Sequence, residues 1–127
     1  SLDAQPAERF DGTNDEMTIL DADILDNSSG LTFYTALRPA NPNGNPSGIL
    51  GKRINQGTSA QYAYTWFFWS GDRLNVDLNT QNNRFNTGTT TFSNNTNYVL
   101  GLDFRGDIPA ARRARVYSQG VKVTEAT

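Results

Sequence analysis

Two sets of side chains suited to one kind of ligand recur at every second position of a single stretch of this sequence. Tyr62, Tyr64, Trp66 and Phe68 supply rings; Asn75, Asp77 and Asn79, a few residues later, supply amides and a carboxylate. A sugar needs both kinds of group at once, an apolar wall for the C–H face of its ring and fixed hydrogen-bond partners for its hydroxyls. These residues are therefore the candidate ligand-binding set, with a glycan as the ligand their chemistry suits.

The two sets can act together only if the chain doubles back between them. Residues 62–69 are too aromatic and β-branched for a loop, and residues 74–79 alternate Leu, Val and Leu with Asn, Asp and Asn. Ser70-Gly71-Asp72-Arg73 lies between, so the stretch reads as a β-hairpin. With Gly71-Asp72 as a two-residue turn, or 70–73 as a four-residue loop, Trp69 opposes Leu74, Phe67 opposes Val76 and Thr65 opposes Leu78. Opposed residues share a face, so these are the expected core pairs and the candidate set lies on the other face. A three-residue loop exchanges the two faces. The candidate face has three readings: a lectin-like site where Trp66 and Tyr64 stack a sugar, an interface with a protein partner or a second copy, or a surface covered by loop 41–47.

At 127 residues the chain is expected to form one domain, residues 10–127, behind an N-terminal arm, residues 1–9. Hydrophobic residues at 36%, charged residues at 19% and 11 glycines favour strands and turns over helices. No window has the period of a long amphipathic helix. Strands are expected at 9–11, 17–20, 31–38, 48–52, 87–93, 98–104, 114–117 and 121–124, with turns at 82–86, 94–96 and 105–107. Within 98–104, Gly101 marks a bulge or a close approach. Many short strands at this spacing predict an all-β antiparallel sandwich.

Composition also excludes function classes. A net charge of −2 argues against binding nucleic acid, which needs a basic face to displace counterions. The cluster Arg112, Arg113 and Arg115 reads as solvated arginines beside a strand. Without cysteine there is no thiol chemistry and no zinc–thiolate site, and no apolar run approaches a membrane span. No cofactor is expected. Glycosidases need an acid and a nucleophile flanking one bond, yet Asp15 and Glu16 are adjacent and Asp77 stands alone on its face. Histidine, the commonest general base, is missing too, so a non-enzymatic protein is expected.

Other motifs carry less. Asp21, Asp23, Asp26 and Asn27 offer oxygen ligands to calcium but lack the Gly and terminal Glu of a defined coordination loop, so a solvated turn is preferred and no metal site is assigned. Arg105-Gly106-Asp107 spells the integrin-recognition tripeptide, where the Gly is already required by a turn. Asn27-Ser28-Ser29 and Asn94-Asn95-Thr96 fit the N-glycosylation pattern.

The order of several motifs resembles the concanavalin A-like, laminin G-type jelly roll of lectins, bacterial surface proteins and bacteriophage structural proteins. Phe10-Asp11-Gly12-Thr13-Asn14-Asp15 is similar to its opening strand and turn, 31–39 to a strand ending in Arg-Pro, and 49–52 to a short strand ending in Lys. Residues 97–106 resemble a later strand, with Asn97 where the family usually has Trp. Residues 115–121 resemble the closing hairpin, with Gln119 in place of Asn. The resemblance implies a jelly-roll sandwich on a virion or cell surface, with carbohydrate recognition as its activity. Its alternative is a structural virion or surface-assembly subunit whose aromatic face meets another protein. The family continues with further strands past the closing hairpin. A sheet edge is therefore expected to be completed by another chain, by the N-terminal arm or by residues outside this sequence.

Overall fold

Alternation of apolar and polar side chains between residues 31 and 37 builds a strand with one dry and one wet face, and the same logic repeats along the chain. The computed structural model describes residues 8–11, 13, 15–20, 22, 30–42, 46–53, 62–78, 80–109 and 112–125; of 53, 62, 63 and 80–83 it describes the backbone. The strands are β1 (Gly30–Leu37), β2 (Ser47–Arg53), β3 (Tyr62–Trp69), β4 (Arg73–Leu78), β5 (Thr80–Asn86), β6 (Tyr98–Arg105), β7 (Ala114–Ser118) and β8 (Val121–Glu125). They form two four-stranded sheets, ordered β1-β6-β7-β8 and β2-β3-β4-β5. Every pairing is antiparallel. The protein is an all-β antiparallel sandwich.

The core lies between the sheets. Trp66, Phe68, Leu74 and Val76 come from one sheet and Leu100, Leu102 and Val116 from the other, with Phe92 added by a loop. Phe33 on β1 meets Tyr64 on β3 across the sandwich, ring centroids 5.2 Å apart. Full burial of each large apolar side chain contributes about 1.5–3 kcal/mol, and these contacts are what hold the sheets face to face.

Two expectations exchange places. The expected turn at 82–86 lies within strand β5, and the expected strand at 87–93 is a loop. Asparagine-rich sequence has poor strand propensity, but Phe85 packs against the core and Arg84 pairs with Asp77 on β4, and these tertiary contacts decide the strand. In 87–93, side chains compete with the ladder for backbone groups. The Thr87 hydroxyl donates to the Thr90 carbonyl at 2.7 Å and accepts the Leu74 N–H at 3.3 Å, while Asn86 Oδ1 accepts the Gly88 N–H at 2.8 Å. The loop then returns Phe92 to the core, edge-on to Phe68 and Tyr98.

The expected strands at 9–11 and 17–20 are not formed: these residues join no sheet, and Phe10, Met17, Ile19 and Leu20 are exposed. An alternating run becomes a strand only where an edge hydrogen-bonds to it, and none does so here. The calcium candidates Asp21, Asp23, Asp26 and Asn27, and Asn79 of the candidate set, lie outside the described residues.

Candidate functional site

The hairpin turn has three residues. Trp69 pairs with Arg73, Phe68 with Leu74, Phe67 with Asn75, Trp66 with Val76, Thr65 with Asp77 and Tyr64 with Leu78. Gly71 and Asp72 take left-handed φ values of 78° and 58°, which both residue types tolerate. This register exchanges the faces. Tyr64, Trp66 and Phe68, expected on the face away from the core, are buried in it, and Trp66 retains 1% of its exposure. The core thereby takes the most aromatic set of the arm, and Thr65 goes to the outer face.

Asn75 and Asp77 do lie on the outer face, together with Phe67 and Trp69, but they are buried and occupied. Arg84 donates through Nε and Nη2 to the two Asp77 oxygens at 2.6 and 2.8 Å. Its guanidinium carbon lies 5.1 Å from the Phe67 ring centroid and 4.9 Å from that of Trp69, a double cation–π contact. The Asn75 amide donates to the Arg73 carbonyl at 3.1 Å. The structure therefore does not bring the sequence-derived set together as a surface. Its rings are core, its carboxylate is half of an ion pair, and for Tyr62 the backbone alone is described.

The other sheet presents what the hairpin does not. Its register places cross-strand rows on the outer face of β1-β6-β7-β8: Thr32, Asp103, Arg115 and Glu125 in one, and Tyr34, Gly101, Tyr117 and Lys122 in the next. Ala36 and Val99 begin a third. Tyr34 is 78% exposed. One edge of its ring rests over Gly101, where a Cβ would stand 3.0 Å from Tyr34 Cε1 and 3.6 Å from Tyr117 Cβ. Glycine admits that approach without any shift of the ring. The ladder through Gly101 is regular on both sides, so the expected peculiarity at Gly101 is a close approach and not a bulge. Beside the ring a recess of about 390 Å³ is lined by Tyr34, Val99, Leu100, Gly101, Tyr117 and Gly120.

The turn at one side of this recess is unusual. Gln119 has φ 52° and Gly120 φ 78°, as a two-residue hairpin turn requires. The Gln119 N–H donates to the Val99 carbonyl at 2.9 Å. Its side-chain oxygen accepts the Val99 N–H at 3.1 Å, and its amide nitrogen donates to the Asn97 carbonyl at 3.3 Å. An asparagine, one methylene shorter, would suit the backbone angle better but would not span both Val99 and Asn97.

The charged row is closed on itself. Arg115 Nε donates to Glu125 Oε1 at 2.9 Å and Lys122 Nζ to Glu125 Oε2 at 2.9 Å, while Arg115 Nη1 lies 3.8 Å from Asp103 Oδ2. Thr32 donates to Asp103 Oδ1 at 3.1 Å. The hydrogen bonds from Lys122 and then Arg115 hold the Glu125 carboxyl below its ordinary value of 4.5. A depressed carboxyl contributes stability that is present above the ordinary value and lost as pH falls through the folded one. Acid-side denaturation midpoints of the wild-type protein should therefore fall more steeply below about pH 4.5 than those of Glu125→Gln. Parallel acid limbs in urea titrations of the two proteins would contradict this network.

Arg105 and Asp107 of the tripeptide turn are exposed, but they hold each other, Nε to Oδ1 at 3.2 Å and Nη2 to Oδ2 at 2.8 Å. The bidentate pair draws Asp107 below its ordinary carboxyl value.

The tyrosine row was missed in the sequence although its signals were there. The alternation of β1 assigns Tyr34 to the wet face, and Gly101 is singular in a strand of large residues. Comparison of the chain with protein-family models, with curated proteins and with solved structures finds no match.

Proposed function

We propose that the protein is a non-enzymatic carbohydrate-recognition module, displayed on a virion or cell surface, that binds sugar on the Tyr34–Gly101–Tyr117 row. The observation that carries this reading is an exposed tyrosine ring held over a glycine, on a sheet face, beside an apolar recess. A recess of about 390 Å³ is within the range of about 300–1,000 Å³ typical of small-ligand sites. The ring offers the stacking wall, and Thr32, Asp103 and Arg115 stand one row away, about 7 Å along the strands, within reach of a bound sugar's hydroxyls. Membership of the laminin G-type group is part of the same proposal and rests on the order of the motifs between residues 10 and 121.

Tyr34→Ala should lower affinity on a glycan array by about tenfold or more, since ring stacking adds about 0.5–1.5 kcal/mol to the area it buries. Because Tyr34 is exposed, the thermal midpoint should stay nearly unchanged. Absence of any glycan binding, or binding indifferent to Tyr34→Ala, would remove the proposal. The second reading is a structural assembly subunit that uses this face as a protein interface, favoured by the exposure of Val99 next to Tyr34. Under it, sedimentation would show an oligomer that Tyr34→Ala dissociates.

A further inference from the structure

We infer that the ligand of this face is an uncharged, extended glycan that lies across the strands and is read at internal sugar residues. The inference rests on the carbohydrate reading and adds the direction, the charge and the part of the chain recognised.

Direction follows from register. Tyr34, Gly101, Tyr117 and Lys122 are opposed residues on successive strands, so their row runs perpendicular to the strands and crosses the whole sheet. At about 4.8 Å per strand spacing the row is about 14 Å long, more than one pyranose ring covers. Both ends are open among the described residues. Tyr34 lies on the edge strand β1 and is 78% exposed, and Lys122 lies exposed on the opposite edge strand, β8. A site that reads a chain terminus needs a wall against which the terminal residue stops, and among the described residues neither edge supplies one.

Charge follows from the pairing. The residues lining the recess include no carboxylate and no cation. The charges that flank it are already committed, Arg115 to Glu125 and Asp103, and Lys122 to Glu125. The two cations are balanced by the two carboxylates, so the row carries no surplus positive charge and an acidic sugar meets Asp103 and Glu125 together with Arg115 and Lys122. Neutral hydroxyls meet no such repulsion, and they can accept from and donate to groups that keep their existing bonds. Gly101 sets the depth of the floor. A Cβ there would stand 3.0 Å from Tyr34 Cε1 and would push the ring outward by a few tenths of an ångström.

The test is calorimetric titration of the intact protein with neutral gluco-, xylo- and manno-oligosaccharides of one to six residues, against oligogalacturonates of matched length. Affinity is expected to rise at least tenfold between the disaccharide and the tetrasaccharide of a bound neutral series, and to be weaker for the uronates at equal length. In Tyr34→Ala the gain with length should shrink below threefold, and Gly101→Ala should weaken every member of the series. Equal affinity for monosaccharide and hexasaccharide, or preference for the uronates, overturns the inference while leaving carbohydrate binding in place. Silence across these series with a positive glycan array elsewhere also overturns the inference alone. Silence in both overturns the carbohydrate reading as well.

Discussion

Replacing Arg84 with methionine is expected to destabilise the protein by about 3–5 kcal/mol, the range for leaving one member of a buried ion pair without its partner. The Asp77 side chain is 4% exposed and both of its oxygens are bound by Arg84. Arg84 itself is 30% exposed, so the asymmetry matters: losing the arginine strands a buried carboxylate, whereas losing the aspartate leaves a cation that can still turn toward water. Arg84→Lys should not rescue the loss. The paired hydrogen bonds require the planar fork of a guanidinium, and a compact ammonium cannot make both while lying over the Phe67 and Trp69 rings. Removing both charges, as Arg84→Met with Asp77→Leu, should recover most of the stability, because an apolar pair of similar size carries no desolvation cost. Urea denaturation measures all of these. A cost below about 1 kcal/mol for Arg84→Met, typical of a surface pair, would show that Asp77 is solvated and the outer face open.

Trp66→Ala should be comparably severe, about 3–5 kcal/mol, in a domain whose whole stability is expected at about 5–15 kcal/mol. Trp66 is at the centre of the cluster formed with Phe68, Val76, Leu100 and Leu102, and its truncation leaves a cavity that neither sheet can close without shifting the other. Trp66→Phe should cost much less. Among the described residues the buried indole N–H has no hydrogen-bond partner, so phenylalanine removes a donor without breaking a bond to any of them. Sugar binding by the folded fraction should persist in both variants, since Trp66 belongs to the dry interior. If Trp66→Ala kept full stability and lost glycan binding, the hairpin register described above would be wrong and Trp66 would face solvent.

That register shows how far the sequence can be read. The strand pattern of 62–78, the alternation of 31–37 and the apolar run at 98–104 are enough for an antiparallel sandwich. The hairpin faces were not readable, because Gly71-Asp72 provides left-handed residues equally well to a two-residue and a three-residue turn. Strand β5 was hidden because its sequence is polar and its place is secured by Arg84 and Phe85, whose partners lie on other elements. The tyrosine platform was hidden differently. Tyr34, Gly101 and Tyr117 are each legible as strand residues, but their alignment depends on β6 lying between β1 and β7, a pairing of segments far apart in the chain.

That distant pairing also orders events in time. The sheet β2-β3-β4-β5 joins consecutive strands, so its closures are local and inexpensive in chain entropy. β1 can find β6 only after the intervening chain has been gathered, and contacts of this range are the slow ones in folding. Every row of the Tyr34 face is completed by that single zippering step, because β6 carries Gly101 and Asp103 between the residues of β1 and β7. The Tyr34 face is then expected to be the last part of the molecule to exist during folding and the first to dissolve on unfolding. A partly folded chain would hold a formed hairpin and no Tyr34 face.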